Sequence, residues 1–112
     1  MLTIESLKEF GADTVSGLQR CMGNEALYLR LAGSVAKEPG FDKLKEAIDA
    51  GDRSAAFDAA HSLKGVLGNL SITPLYNKAA EISDALKAGE DRDYAALVGE
   101  LTALKDKYAA LI

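Results

Sequence analysis

Histidine and cysteine occur once each in the 112 residues, as His61 and Cys21, and tryptophan not at all. A zinc site built from His and Cys needs more ligands than this chain owns, so no metal is expected. A lone cysteine excludes an internal disulfide framework. Cys21 and His61 could in arithmetic form a nucleophile–base pair, but no motif supports one. Neither phosphate-cradling loop, G-x-x-x-x-G-K-[ST] or G-x-G-x-x-G, is present, which argues against autonomous nucleotide chemistry. No apolar run approaches the roughly 18–20 residues of a membrane helix. Met1 to Phe10 alternates apolar and charged residues, unlike the unbroken apolar stretch of a signal peptide. No dense Lys/Arg run appears, and 13 Lys+Arg against 17 Asp+Glu give a net charge of −4. That balance does not suit a nucleic-acid partner. These absences lead us to expect a cytoplasmic, monomeric domain with no membrane or nucleic-acid role.

What is present reads as helix nearly throughout, since strand-type alternation of Val, Ile and Thr is missing. Thr3 caps a short helix carrying Ile4, Leu7 and Phe10, stopped at Gly11. Asp13 or Thr14 starts a second with Val15, Leu18 and Met22 on one side, ended by Gly23. Asn24 caps a longer segment with Glu25 in its first turn and a stripe of Leu27, Leu31 and Val35. Pro39-Gly40 interrupts it, and Phe41, Leu44 and Ile48 resume the spacing until Gly51. Asp52 caps a helix running to Asn69. Thr73-Pro74 supplies a capping hydroxyl and a first-turn proline; Leu75, Ala79, Ile82 and Leu86 follow, closed by Gly89. Asp91 or Asp93 opens the last helix, striped by Tyr94, Leu97, Leu101, Leu104, Tyr108 and Leu111.

Short connections make successive helices antiparallel neighbours. The expected architecture is all-α: an up-down-up-down four-helix bundle of 24–50, 53–69, 74–88 and 92–111. Residues 1–23 form short helices flanking or covering one end, and the whole of 1–112 is read as one domain.

Helix 53–69 carries an anomaly. At 100° per residue, Ala56, Ala60, Leu63, Leu67 and Leu70 fall within about 40° of one direction, which must be the core. His61 lies about 140° from it, Gly65 about 180° and Gly68 about 120°, with Ser54 on the same outer face. An interior glycine costs roughly 0.8–1 kcal/mol relative to alanine. Gly33 and Gly99 read as packing or tolerance. Gly65 and Gly68 instead follow His61 on its own face, where they clear an approach for another protein. Lys64, at i+3, can offset phosphoryl charge. No carboxylate stands at i+3 or i+4, and Asp58 reads as a solvated surface residue. The arrangement suits a nucleophile acting on an activated phosphoryl group brought by a partner.

Ala60-His61-Ser62-Leu63-Lys64-Gly65, followed by Gly68-Asn69-Leu70, resembles the A-H-x-L-K-G signature of histidine-containing phosphotransfer (Hpt) domains. Gly51-Asp52 and the Leu75–Leu86 helix also look like that family, and Cys21 to Leu31 is similar to the N-terminal part of a stand-alone bacterial subgroup. The likeness covers nearly the whole chain. Two departures are visible: Ser71 stands where a glycine is common, and Ser83 where many members carry Glu or Gln beside the histidine ring.

The resemblance implies a phosphorelay intermediate without kinase activity. His61 would accept phosphate on Nε2 from a receiver-domain aspartate, in a response regulator or a hybrid histidine kinase, and pass it to another receiver. Mg²⁺ would come with the receiver, so no cofactor is expected on this chain. Lys64 would stabilise the phosphoryl group, and Gly65 and Gly68 would clear the docking surface. That surface is expected to spread onto Tyr76, Ala80, Ser83 and Lys87, with Ser83 and Lys87 nearest the imidazole, and to include Phe57. Two other classes stay open: an adaptor that binds receivers without transfer, and a helical structural module whose motif is fortuitous.

Overall fold

Short polar side chains start most of the helices. In the computed structural model, which describes residues 1–112, the Thr3 hydroxyl accepts the Ser6 amide at 3.0 Å and opens α1, Ile4–Phe10. Asp13, Asn24, Asp52 and Asp93 likewise cap α2 (Thr14–Arg20), α3 (Glu25–Ser34), α5 (Arg53–Asn69) and α7 (Tyr94–Ala109). Each side-chain oxygen takes an amide that the first helical turn leaves without an internal partner. Two further helices, α4 (Gly40–Asp49) and α6 (Thr73–Lys87), have no side-chain cap. For α6 this corrects the expectation from Thr73: its hydroxyl donates to the Ser71 carbonyl at 3.4 Å, and Ile72 occupies the cap position. Pro74, with its fixed φ, presets the first turn instead.

Helix α4 packs on α5 and α7, and α6 packs on the same two, so the four close a ring. Their links, Ala50–Asp52, Leu70–Ile72 and Ala88–Asp93, are too short to do other than reverse the chain. Leu44, Leu63, Leu67, Leu75, Ile82 and Leu101 fill the centre and are sealed from solvent. The all-α bundle is therefore as expected, but its first member is shorter. Residues 24–50 make two helices: α3 tightens into a 3₁₀ turn at Val35–Lys37, and Pro39 then sits at the cap of α4. Proline here begins a helix rather than notching one. No helix is long and apolar enough to cross a membrane.

Two tyrosines fasten the N-terminal helices to the bundle. Tyr28 on α3 donates to the Leu70 carbonyl at 2.8 Å, and Tyr108 on α7 donates to the Ala32 carbonyl at 2.6 Å. Burial pushes both phenols up, which keeps them neutral donors. A Cβ on Gly17 would overlap the Tyr28 ring, so α2 can lie against α3 only because that residue is glycine. These contacts rotate both short helices away from the expected stripes. Val15 and Met22 are exposed while Thr14, Gly17 and Cys21 are buried; Leu31 is exposed while Tyr28 and Ala32 are buried.

Candidate functional site

Helix α5 divides as its periodicity requires. Ala56, Ala60, Leu63 and Leu67 are buried, as is Leu70 just beyond, while Ser54, Asp58, His61, Ser62 and Gly65 are exposed. The helix stops where the Ile72 amide donates to the Leu67 carbonyl and the Ser71 amide to the Gly68 carbonyl, both at 3.1 Å. This ending places the residue after the cap in the left-handed region, and Ser71 has φ +57°. A serine thus makes the turn that a glycine would make without strain. Leu67 and Ile72, the pair that closes the motif, are both fully buried.

His61 projects from the middle of this helix into solvent. Phe57, one turn earlier, stacks on it with ring centroids 5.6 Å apart and planes 22° apart. The imidazole is therefore held by an apolar face, leaving its nitrogens at the edge. Lys64 leans towards α6, where its Nζ lies 3.4 Å from Asp84 Oδ1. No carboxylate at helical spacing announced this partner; it arrives from the neighbouring helix. With Asp84 largely exposed, the pair is weak and can be exchanged for a stronger anion.

The two glycines differ. A Cβ on Gly65 would meet nothing within 4 Å, so the helix surface beside His61 is open. A Cβ on Gly68 would stand 3.1 Å and 3.2 Å from Cε1 and Cδ1 of Tyr76. Gly68 therefore lets the Tyr76 ring lie against α5, a packing role within the chain that its place on the outer face did not suggest.

His61, Lys64, Gly65, Gly68 and Tyr76 border one open groove of about 530 Å³. It runs towards the C-terminal end of α5, and its remaining walls include Arg20, Asn69 and Asn77. The structure does not bring the other expected docking residues to this groove. Ser83 is only 2% exposed, so it cannot meet a partner, and this corrects its assignment. Helix α6 touches both α5 and α7, which widens its buried arc beyond the Leu75–Ile82 stripe. Ala80 is half-buried and Lys87 exposed, and neither lines the groove. Of the residues missed from sequence, Asn69 lies eight positions after His61 on the same face and was within reach of periodicity. Arg20, brought from α2, had no local signal.

No group of three His, Cys, Asp or Glu side chains is placed to hold a metal ion. What the site offers is an exposed imidazole backed by an aromatic ring, a nearby exchangeable cation and a polar groove. Such a site can receive a group that a partner carries to it.

The family model for the Hpt domain matches residues 38–112, which hold α4 to α7 and the whole of the His61 helix. No curated protein and no solved structure matches the chain. Two-thirds of the sequence, its bundle and its exposed histidine agree, and the chain belongs to the Hpt domain family, whose members are phosphotransfer intermediates, not kinases, and interact with receiver domains.

Proposed function

We propose that the chain is a phosphorelay intermediate in which His61 takes a phosphoryl group from a receiver's aspartyl phosphate and passes it to the aspartate of a second receiver. The observation that carries this reading is the exposure of His61 on the outer face of α5, with bare Gly65 one turn on, in a chain of this family. In the transfer, the Nε2 lone pair attacks phosphorus in line with the leaving oxygen. The N–P bond forms as the P–O bond breaks, and the aspartate leaves as carboxylate with the bonding pair. The proton on Nδ1 stays on the ring, so the same path runs backwards to the next receiver.

The chain's own residues position and compensate. Phe57 supports one face of the imidazole while the edge reacts. Lys64 exchanges Asp84 for the phosphoryl oxygens, which carry more charge. Gly65 leaves room for the partner, and Gly68 does so indirectly by letting Tyr76 lie close against α5. Mg²⁺, brought by the receiver, supplies further neutralisation of the phosphoryl oxygens. Docking centres on Phe57, Lys64, Gly65 and Tyr76, with Ala80 and Lys87 at the margin. It buries about 1,200 Å² or less in total, as a partner that must leave quickly requires.

The test is to mix the chain with a receiver domain carrying radiolabelled aspartyl phosphate. Acid-labile, base-stable label should appear on the wild type and not on His61→Gln, whose helicity is unchanged. Label retained by His61→Gln refutes the residue. A wild type that binds the receiver and never takes label is an adaptor instead.

A further inference from the structure

We propose that α2, which precedes the family-matched residues, is part of the receiver-docking surface, and that Arg20 there strengthens docking by pairing with an acidic group on the receiver's surface, away from its phosphorylated aspartate. This rests on the relay reading above. The groove that opens on His61 is walled on its far side by α2, through Asp13 and Arg20. Arg20 is exposed, and its Nη1 is 3.5 Å from Asn69 Oδ1, a long contact to a neutral group. Lys64, Lys78 and Arg92 each face a carboxylate within the chain; Arg20 faces none. Its charge is therefore available to a partner. Asp13 is the one anion on the groove, and one of its oxygens is already occupied as the cap of α2, accepting the Ser16 amide at 3.1 Å. Although the chain carries −4 overall, Arg20 gives this end of the groove a cation with no carboxylate partner, complementary to an acidic group on a partner surface; Lys64, the other cation on the groove, is paired with Asp84 in the free chain.

Distance separates Arg20 from the chemistry. Asn69 is eight residues beyond His61, about 12 Å along the helix axis. A guanidinium anchored there reads the protein around the phosphate, not the phosphate itself. Its planar fork suits a carboxylate bidentately, which a lysine cannot reproduce. The position is fixed by the bundle: Tyr28 packs over Gly17, and the Asp13 amide donates to the Ser71 carbonyl at 2.9 Å.

The experiment uses the full chain and the fastest donor to it among a panel of purified receivers, each phosphorylated on aspartate. Transfer rates are measured at low salt for the wild type, Arg20→Ala, Arg20→Lys and Arg20→Glu, and each protein is also phosphorylated with phosphoramidate. Removing one rim charge should slow receiver transfer by about three- to fivefold, with reversal to glutamate slower still. Arg20→Lys should recover only part, the loss should shrink in high salt, and it should exceed any loss with phosphoramidate. Wild-type transfer rates in Arg20→Ala and Arg20→Glu overturn the proposal, as does an equal loss with both donors. A wild type labelled by phosphoramidate but by no receiver overturns the relay reading, and the role of Arg20 with it.

Discussion

Gly65 and Gly68 sit on the same face of α5, yet alanine should act differently at each. An interior glycine costs about 0.8–1 kcal/mol against alanine in a helix, through backbone freedom lost on folding. At Gly65 the added methyl meets nothing within 4 Å, so Gly65→Ala should realise nearly all of that gain. For a chain of this size the midpoint of thermal unfolding should rise by about 3–4 °C. At Gly68 the same methyl would come 3.1 Å from the Tyr76 ring, well inside the roughly 3.5–4.0 Å optimum for carbon contacts. The half-buried ring must shift, and the gain should fall to about zero. The two effects separate in a cycle: in a Tyr76→Ala background, Gly68→Ala should regain about 0.5–1 kcal/mol. Urea unfolding followed by far-ultraviolet circular dichroism gives all four differences. A Gly68→Ala gain equal to that of Gly65→Ala, with Tyr76 intact, would refute the packing role of Gly68. A Gly65→Ala variant no more stable than wild type would refute the open-surface reading.

Two further outcomes follow from charged groups. Lys64→Ala should slow phosphotransfer or shorten the phosphohistidine lifetime by about two- to fivefold at low salt, the worth of one partly exposed charge; equal rates and lifetimes would show that Lys64 serves only Asp84. Hydrogen bonds from Lys78 and Arg92 hold the Glu81 carboxyl below its ordinary range, and Lys78 bridges on to Glu100 of α7 at 2.7 Å. A lowered folded value means that this stabilisation is present above the ordinary carboxylate range and is lost as pH falls through the folded value. Glu81→Gln should therefore lower the urea midpoint at pH 7, and the difference from wild type should close in acid; a difference unchanged with pH would remove Glu81 from the α6–α7 link.

Local pattern carried most of what could be read in advance. Thr3, Asp13, Asn24, Asp52 and Asp93 all cap their helices, because a cap is a contact between residues three apart. The long α5 gave its core face and the outward His61 for the same reason: seventeen residues repeat the period often enough to fix a direction. The seven-residue α2 did not, having only two turns. Its buried face, like that of α3, is set from far away in sequence, by Tyr28 reaching Leu70 and Tyr108 reaching Ala32. The surroundings of His61 divide along the same line. Gly65 and Lys64 were legible on their own helix. Asp84, Arg20 and the Tyr76 ring over Gly68 come from other helices, and the burial of Ser83 depends on how far α6 is rotated between α5 and α7. No single-helix period encodes that rotation.

Relay through this chain requires that a receiver's phosphoryl group move onto one nitrogen of His61. Nitrogen-15 NMR of the labelled chain, recorded after addition of an aspartate-phosphorylated receiver, observes that bond directly. Nitrogen–phosphorus coupling should appear at Nε2 of His61 as the receiver's aspartyl phosphate disappears. An imidazole without such coupling while the receiver's phosphate is lost to water would rule out transfer to His61.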